Sequence, residues 1–220
     1  MEPIVWVPSA NGPTVNRINS LAVVTPNDMW AVGEFGSAGD IIHWDGTAWT
    51  FMPQVAQNIE LNDITVISAS DIWAVGTAGT QVTWAVTVHW DGSEWTQVDI
   101  GIYGPQDQLY GVAGTASNNV WAVGKNDDGI LLLHWDGQQW QRGGLSGSDL
   151  AKGQAPASSY DYLFDVTASG PNEMWAVGAL YLSGQWRSLI MRWDPQNGWN
   201  FASSPSPGAY ANFLRSVTAI

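Results

Sequence analysis

Histidine, tryptophan and aspartate stand side by side three times in this sequence, as His-Trp-Asp-Gly followed by a second tryptophan. The first copy, HWDGTAW, spans residues 43–49. Imidazole and carboxylate groups this close together are common participants in general acid–base catalysis. The motif therefore has two interpretations, a functional site or a recurring piece of structure.

The Asp-Gly pair favours the structural interpretation. Asp caps a tight turn through its side chain, and Gly accepts the positive φ that such a turn needs. A fourth copy has DPQNG at 194–198, which is turn chemistry of another kind. A catalytic pair would not recur at the same place in every copy. We predict a hairpin turn at three pairs, namely Asp45 with Gly46, Asp91 with Gly92, and Asp136 with Gly137.

The histidines give no metal or catalytic pattern. His43, His89 and His134 share one repeat position, which Arg192 takes in the fourth copy, and none has a second histidine at metal-ligand spacing. We expect each to be a polar group satisfied by a neighbouring turn. KNDDG at 125–129 lacks the ordered ligands of a calcium loop. Cysteine is absent, as are a nucleophile elbow and a phosphate-binding loop. We therefore predict no catalysis, no metal and no cofactor.

A second motif shows that the whole chain consists of repeats. WAVG occurs at 30–33, 73–76, 121–124 and 175–178. Each copy follows a short run of small and β-branched residues and precedes one copy of the Trp-Asp motif. Each unit of roughly 40–50 residues is typical of four short strands. Strand A is the small-residue run, B is WAVG ending at its Gly, C ends at His-Trp, and D begins at the next Trp.

Four-stranded units that cannot bury their own faces stack radially, so we predict an all-β fold, a β-propeller of four-stranded antiparallel blades. A β-sandwich is the alternative, although it would not need the same motif four times. Lone strands near 4–8 and 213–220 suggest partial blades, which indicate a piece of a longer propeller or a ring closed by another copy. The predicted ranges are 1–12 for a partial blade, 13–54, 55–104, 105–144 and 145–204 for blades 1 to 4, and 205–220 for the start of a further blade.

Composition limits the classes of partner. The 220 residues include 15 tryptophans, and seven basic against 20 acidic residues give a formal charge of −13. This charge repels a phosphate backbone and an anionic membrane surface, so we expect no nucleic-acid partner. No apolar run reaches the ~20 residues of a membrane helix, and no signal peptide is visible.

Twelve of the tryptophans are fixed by the repeat, and we predict that they pack the blades. Those of strands C and D flank the same turn and should face each other across it. The strand-B members are Trp30, Trp73, Trp121 and Trp175, the strand-C members are Trp44, Trp90, Trp135 and Trp193, and the strand-D members are Trp49, Trp95, Trp140 and Trp199.

Length variation is confined to the B–C and D–A connections, which emerge together on one face of a propeller. Loops that vary are where function is commonly found, and aromatic residues and Arg are enriched in binding hot spots. The tryptophans outside the repeat are also candidates for stacking on a sugar. The predicted ligand-binding residues are Trp84, Tyr103, Tyr160, Tyr162, Tyr181, Trp186 and Arg187.

The WAVG and HWDGxxW motifs together resemble the bacterial Kelch-like and BNR-like propeller repeats, and are similar to the photosystem II assembly-factor type. The spacing departs from the sialidase-type Asp-box, because Trp follows Asp45, Asp91 and Asp136 by four residues instead of five. The resemblance implies an extracellular or cell-surface binding scaffold without a reaction.

Three functions remain open at this stage. The first is a non-catalytic scaffold that binds a protein through its loop-rich face. The second is a lectin that binds a glycan, and the third, which the sequence favours least, is a glycosidase with two converging carboxylates. Further blades of the same chain, or a second copy, are expected partners for closing the ring.

Overall fold

The structure, a computed structural model, describes residues 17–34, 40–101, 104–143, 160–208 and 211–219. These residues form four antiparallel sheets of four strands, each in the order in which its strands follow along the chain. The strands are β1 Arg17–Thr25, β2 Asp28–Glu34, β3 Ile41–Trp44, β4 Trp49–Phe51, β5 Ile59–Ser68, β6 Asp71–Ala78, β7 Trp84–Trp90, β8 Trp95–Val98, β9 Gln108–Ala116, β10 Asn119–Asn126, β11 Gly129–Trp135, β12 Trp140–Arg142, β13 Tyr162–Gly170, β14 Glu173–Leu182, β15 Gln185–Asp194 and β16 Gly198–Ala202.

The four sheets confirm the predicted all-β fold of four-stranded blades. The A strands of successive blades (β1, β5, β9 and β13) contact one another, which makes them the innermost strands. Each sheet lies inside one of the four predicted blade ranges, whose boundaries remain predictions. The predicted lone strand at 1–12 lies outside the described residues. No helix among the described residues is long and apolar enough to cross a membrane.

The predicted B–C loops are wrong in one respect, because strand B continues past its Gly. In blade 4 the segment 179–188 is an extended hairpin, with a turn of only Ser183 and Gly184 between β14 and β15. Both turn residues have positive φ, at 51° and 81°, as a tight two-residue hairpin requires. In blade 2 the loop is 79–83. The longer strands keep the backbone groups paired in the ladder.

A bulge in strand A explains the glycine of WAVG. Two residues of each A strand have no partner in the register with strand B, and beside the first of them the backbone comes very close to the glycine. A Cβ at Gly76 would collide with the carbonyl oxygen of Glu60, and the other three glycines meet the same obstacle. The bulge residues are Asn19, Asn62, Tyr110 and Phe164.

In blades 1 to 3, the tryptophan of WAVG joins its blade to the next one. Trp73 of blade 2 lies 4.9 Å from Trp135 and 5.3 Å from Trp140 of blade 3, in tilted and edge-on geometry. Trp30 and Trp121 make the same pair of contacts with the following blade. The receiving tryptophans stand opposite each other across their own hairpin, as Trp135 and Trp140 do. Three apolar cores result, one between each pair of adjacent blades.

The His-Trp-Asp-Gly motif is part of this architecture. Asp45 Oδ1 accepts hydrogen bonds from the backbone N–H groups of Thr47 and Ala48, and Gly46 has φ of 91°. The hydrogen bond that the Thr47 hydroxyl donates to Asp45 Oδ1, together with these two, lowers the pKa of Asp45 to about 2. His43 stacks on Trp30 at 4.0 Å. Asp91 and Asp136 cap their turns in the same way.

The partner of each strand-C histidine is on strand B, not in a neighbouring turn as the sequence suggested. His43 Nε2 bonds Asp28 at 2.8 Å, and His89 bonds Asp71 at 2.8 Å. His134 bonds Asn119 at 2.9 Å, and in blade 4 Arg192 pairs with Glu173. The acceptor always stands two residues before the WAVG tryptophan, so residue types at the two positions change together.

Candidate functional site

Six aromatic side chains meet at the end of blade 4 where its B–C and D–A connections emerge. We call this group the aromatic cluster. Its members are Tyr160, Tyr162, Phe164, Tyr181, Trp186 and Phe213.

The extended hairpin of blade 4 is what brings the cluster together. Tyr181 on β14 stands opposite Trp186 on β15, and their rings are 5.1 Å apart. Tyr162 opens β13 and stacks on Trp186 at 5.5 Å, with the planes 27° apart. The backbone N–H of Tyr181 donates to the buried carboxylate of Asp161, which fixes the strand beside Tyr160. The aromatic cluster is therefore built mainly on strands.

The bulge of β13 adds Phe164 to the cluster, and the segment 211–219 adds Phe213. The Phe164 ring stacks on Tyr162 at 5.6 Å. Phe213 lies 5.1 Å from Trp186, and Asn212 Nδ2 donates to the carbonyl oxygen of Trp186. Tyr160 is 56% exposed and Phe213 is 37% exposed, so the cluster is open to solvent at its rim.

Two cations lie over the rings of the cluster. Lys125 Nζ is 5.3 Å from the centre of the Tyr162 ring, and the Arg215 guanidinium is 5.2 Å from that of Phe164. Such cation–π contacts hold a cation in position while leaving N–H donors available at the surface. The chain has only seven basic residues, so two at one cluster is a local concentration.

The structure brings together four of the seven predicted binding residues. Tyr160, Tyr162, Tyr181 and Trp186 are in the cluster, although the last three are on strands instead of the predicted loops. Arg187 points to the opposite side of its sheet from its neighbour Trp186. There its guanidinium donates to Gln185 and borders a separate groove of about 420 Å³.

Trp84, another of the predicted residues, is not in the cluster. Trp84 opens β7 in blade 2 and is 40% exposed, beside a groove of about 300 Å³ that it shares with Val82 and Pro105. Tyr103 lies outside the described residues.

Sequence reasoning missed Phe164, Phe213, Lys125 and Arg215. The signal for two of them was present in the alignment of the repeats. The bulge position holds Asn19, Asn62, Tyr110 and Phe164 in turn, a change from amide to aromatic along the chain. Arg215 stands at the matching place in the final partial repeat, one residue before Ser216.

Three carboxylates lie on the inner strands, and each is engaged: Glu60 pairs with Arg17, whereas Asp63 and Asp165 hold adjacent segments. Asp63 accepts hydrogen bonds from Ser20 Oγ and from the backbone N–H of Val112. Asp165 accepts from Ser216 Oγ and from the N–H of Val217. Burial, with a smaller contribution from the charge of Asp165, raises the pKa of Asp63 to about 6. Within the described ranges, no group of three His, Asp or Glu side chains could hold a metal ion.

Comparisons with solved structures support the fold. The chain resembles an ancestral GH74 enzyme with a TM-score of 0.60 and 18% identity, over 86% of this chain and 26% of that one. It resembles YjhT with a TM-score of 0.54 and 12% identity, over 90% and 69% of the two chains. A six-bladed fungal lectin from Aleuria aurantia that recognises fucose gives a TM-score of 0.42 at 12% identity, over 84% and 75%.

These proteins are β-propellers, and identities this low indicate a shared fold only. The chain spans about a quarter of the length of the GH74 enzyme. No protein-family model matches the sequence, and no curated protein matches it significantly.

Proposed function

We propose that this protein binds carbohydrate on the aromatic cluster and does not cleave it. The observation that carries the proposal is the stack of Trp186 on Tyr162, flanked by Tyr181 and held by strands. The apolar face of a sugar ring is complementary to an aromatic surface, and its hydroxyl groups need donors and acceptors at the rim. Lys125 and Arg215 supply donors, and the tyrosine hydroxyl groups can serve as either.

The state of the inner carboxylates supports binding instead of catalysis. A glycosidase uses one carboxyl group to protonate the leaving oxygen and another as a base or nucleophile, both free to face the substrate. Asp63 and Asp165 instead accept backbone and hydroxyl hydrogen bonds from adjacent segments. The fold does not separate the two functions, since the neighbours include an enzyme and a lectin.

A glycan array tests the proposal, with linear gluco-, xylo-, manno- and galacto-oligosaccharides among its ligands. Trp186→Ala should weaken binding about tenfold or more, because loss of one stacking contact removes at least ~1.4 kcal/mol. Trp44→Ala is the matched control. Trp44 flanks the C–D turn of blade 1, which is the end of strand C opposite to the B–C connection. An array blank for the unmodified protein at millimolar ligand would contradict the proposal.

A protein partner is the second candidate, favoured by an open apolar face on blade 1. Leu21 is 50% exposed, whereas its equivalents Ile64, Val112 and Val166 are 6%, 3% and 4% exposed because a preceding blade covers them. Exposed apolar patches of this kind mark interaction sites. The face suits a blade-like sheet, from further blades of the chain or from a second copy. Light scattering over a concentration series tests whether a second copy binds this face. A molar mass equal to that of the monomer at every concentration would contradict it.

We also propose that the repeats are Kelch-like or BNR-like and that the protein is located at the cell surface. A surface location would bring the aromatic cluster into contact with extracellular glycans. Protease accessibility on intact source cells tests the location, and complete protection would contradict it.

A further inference from the structure

We propose that the ligand is an extended chain, a linear oligosaccharide or polysaccharide, whose site runs from the aromatic cluster across blade 3 to a second platform at Trp84 of blade 2. This inference rests on the proposed carbohydrate binding and goes further, because it specifies the length and path of the ligand. The carrying observation is that a polar groove lies between two aromatic surfaces, with Tyr110 beside the aromatic cluster and Thr83 beside Trp84 both lining it.

The first link is Tyr110, the bulge residue of blade 3. Its ring lies 6.0 Å from that of Phe164, so it extends the aromatic cluster toward blade 2. Its hydroxyl donates to Oε1 of Gln108. Burial raises the pKa of Tyr110 to about 12, so the phenol keeps its proton and stays a donor at any physiological pH.

The second link is a groove of about 360 Å³ between blades 2 and 3. Tyr110 and Gln108 form one wall, and Glu60, Asn62 and Thr77 are among the residues that line the rest. Carboxylate, amide and hydroxyl groups together can accept from and donate to neighbouring sugar hydroxyls. The groove is polar where the aromatic cluster is apolar, so it can hydrogen-bond the hydroxyl groups of units that do not stack on a ring.

The third link is the contact between this groove and Trp84. Thr83 borders both the polar groove and the apolar groove beside Trp84. A Cβ added to Gly79, which lines the polar groove, would lie 3.1 Å from the indole of Trp84. The exposed indole therefore lies beside the polar groove at Gly79 and Thr83, whereas Tyr110 lines the groove from blade 3.

A ligand of one sugar unit would use only one part of this surface. Stacking on Trp186 and on Trp84 at the same time requires several units, with the units between them hydrogen-bonded in the polar groove. Each additional engaged unit adds contacts without a new loss of translational freedom, so affinity should increase with length until the surface is filled.

Titration calorimetry with gluco-, xylo-, manno- and galacto-oligosaccharides of increasing length tests the inference. In the series that binds, affinity should rise about tenfold or more between the shortest member bound and the longer members, and then become constant. Trp84→Ala should remove this gain, so that the longer members bind no more tightly than the shortest one. Gln108→Leu, which alters the polar groove and not Trp84, should reduce the gain independently.

The possible failures are distinguishable. Equal affinity at every length, with binding still lost in Trp186→Ala, would overturn the extended site and leave the proposed function in place. If no member of any series binds, the proposed function itself is wrong. Trp44→Ala serves again as the control and should match the unmodified protein at every length.

Discussion

Asp40 makes the stability of the fold depend on pH, although it belongs to none of the sequence motifs. Its carboxyl group is buried, and Oδ2 accepts no hydrogen bond from the described residues. Burial raises the pKa of Asp40 from 3.8 to about 6. A charge in such a place is costly, so the folded state binds its proton more tightly than the unfolded chain. The contribution of Asp40 to stability is therefore present below pH 4 and is lost as the pH rises through about 6.

Asp40→Asn should remove this loss. At pH 7.5 the variant is expected to be more stable than the unmodified protein by about 1–3 kcal/mol, since each unit of pKa shift corresponds to ~1.4 kcal/mol. At pH 4 the difference should be near zero. Urea unfolding at the two pH values measures it, with the exposed Glu94→Gln as control. If the stability difference between Asp40→Asn and the unmodified protein is the same at both pH values, the explanation is wrong.

Other single residues show where sequence reasoning stops. The Asp-Gly turns follow from residue chemistry alone, because Asp and Gly act through their own backbone neighbours. The acceptors Asp28, Asp71 and Asn119 do not follow from residue chemistry alone, because each lies on a different strand from the histidine that it bonds. Only the parallel change to Glu173 with Arg192 gave a hint in the sequence.

At the scale of elements, strand B depends on a close approach between backbones. The WAVG glycine was interpreted as the end of a strand, yet strand B continues past it in every blade. The bulge that makes the glycine necessary has no local sequence signature, since its residue is Asn in two blades and aromatic in two. The same bulge displaces Tyr110 and Phe164 toward the candidate site, which is why the sequence did not reveal them.

Gly76→Ala tests this element directly. The added Cβ would collide with the carbonyl oxygen of Glu60, so strands β5 and β6 must separate. We expect a loss of about 1–3 kcal/mol in the free energy of unfolding, as for other overpacked sites. Gly170→Ala is the matched control, because nothing lies within 4 Å of a Cβ there. Equal urea midpoints for the two variants would show that the close approach is not needed.

At the scale of the whole molecule, the repeats were sufficient to predict the blades. Four copies of one motif are expected to form the same structural unit four times, so periodicity alone indicates four equivalent sheets. Function could not follow from the same periodicity, because the candidate site is built from residues that break it. Trp84 and Trp186 stand at positions where the other blades have no tryptophan.

The open faces also belong to this scale. Trp44 and Trp49 of blade 1 form a receiving pair like Trp135 and Trp140, yet no WAVG tryptophan inserts there among the described residues. At the other end, Val217 repeats on Asp165 the hydrogen bond that Val112 makes to Asp63. Residues 211–219 thus take the position of a further strand A, although they form no β-ladder. The start of a further blade at 205–220 remains a prediction.

The central claim is that a glycan touches the tryptophans outside the repeat and leaves those inside it untouched. Indole N–H signals of the 15 tryptophans in a nitrogen-15 NMR spectrum report this directly, in a titration with the longest oligosaccharide that binds. The account predicts shifts at Trp186 and Trp84, assigned with single Trp→Phe variants, and none at Trp44 or Trp49. Shifts confined to the repeat tryptophans, or an unchanged spectrum at saturating ligand, would contradict it.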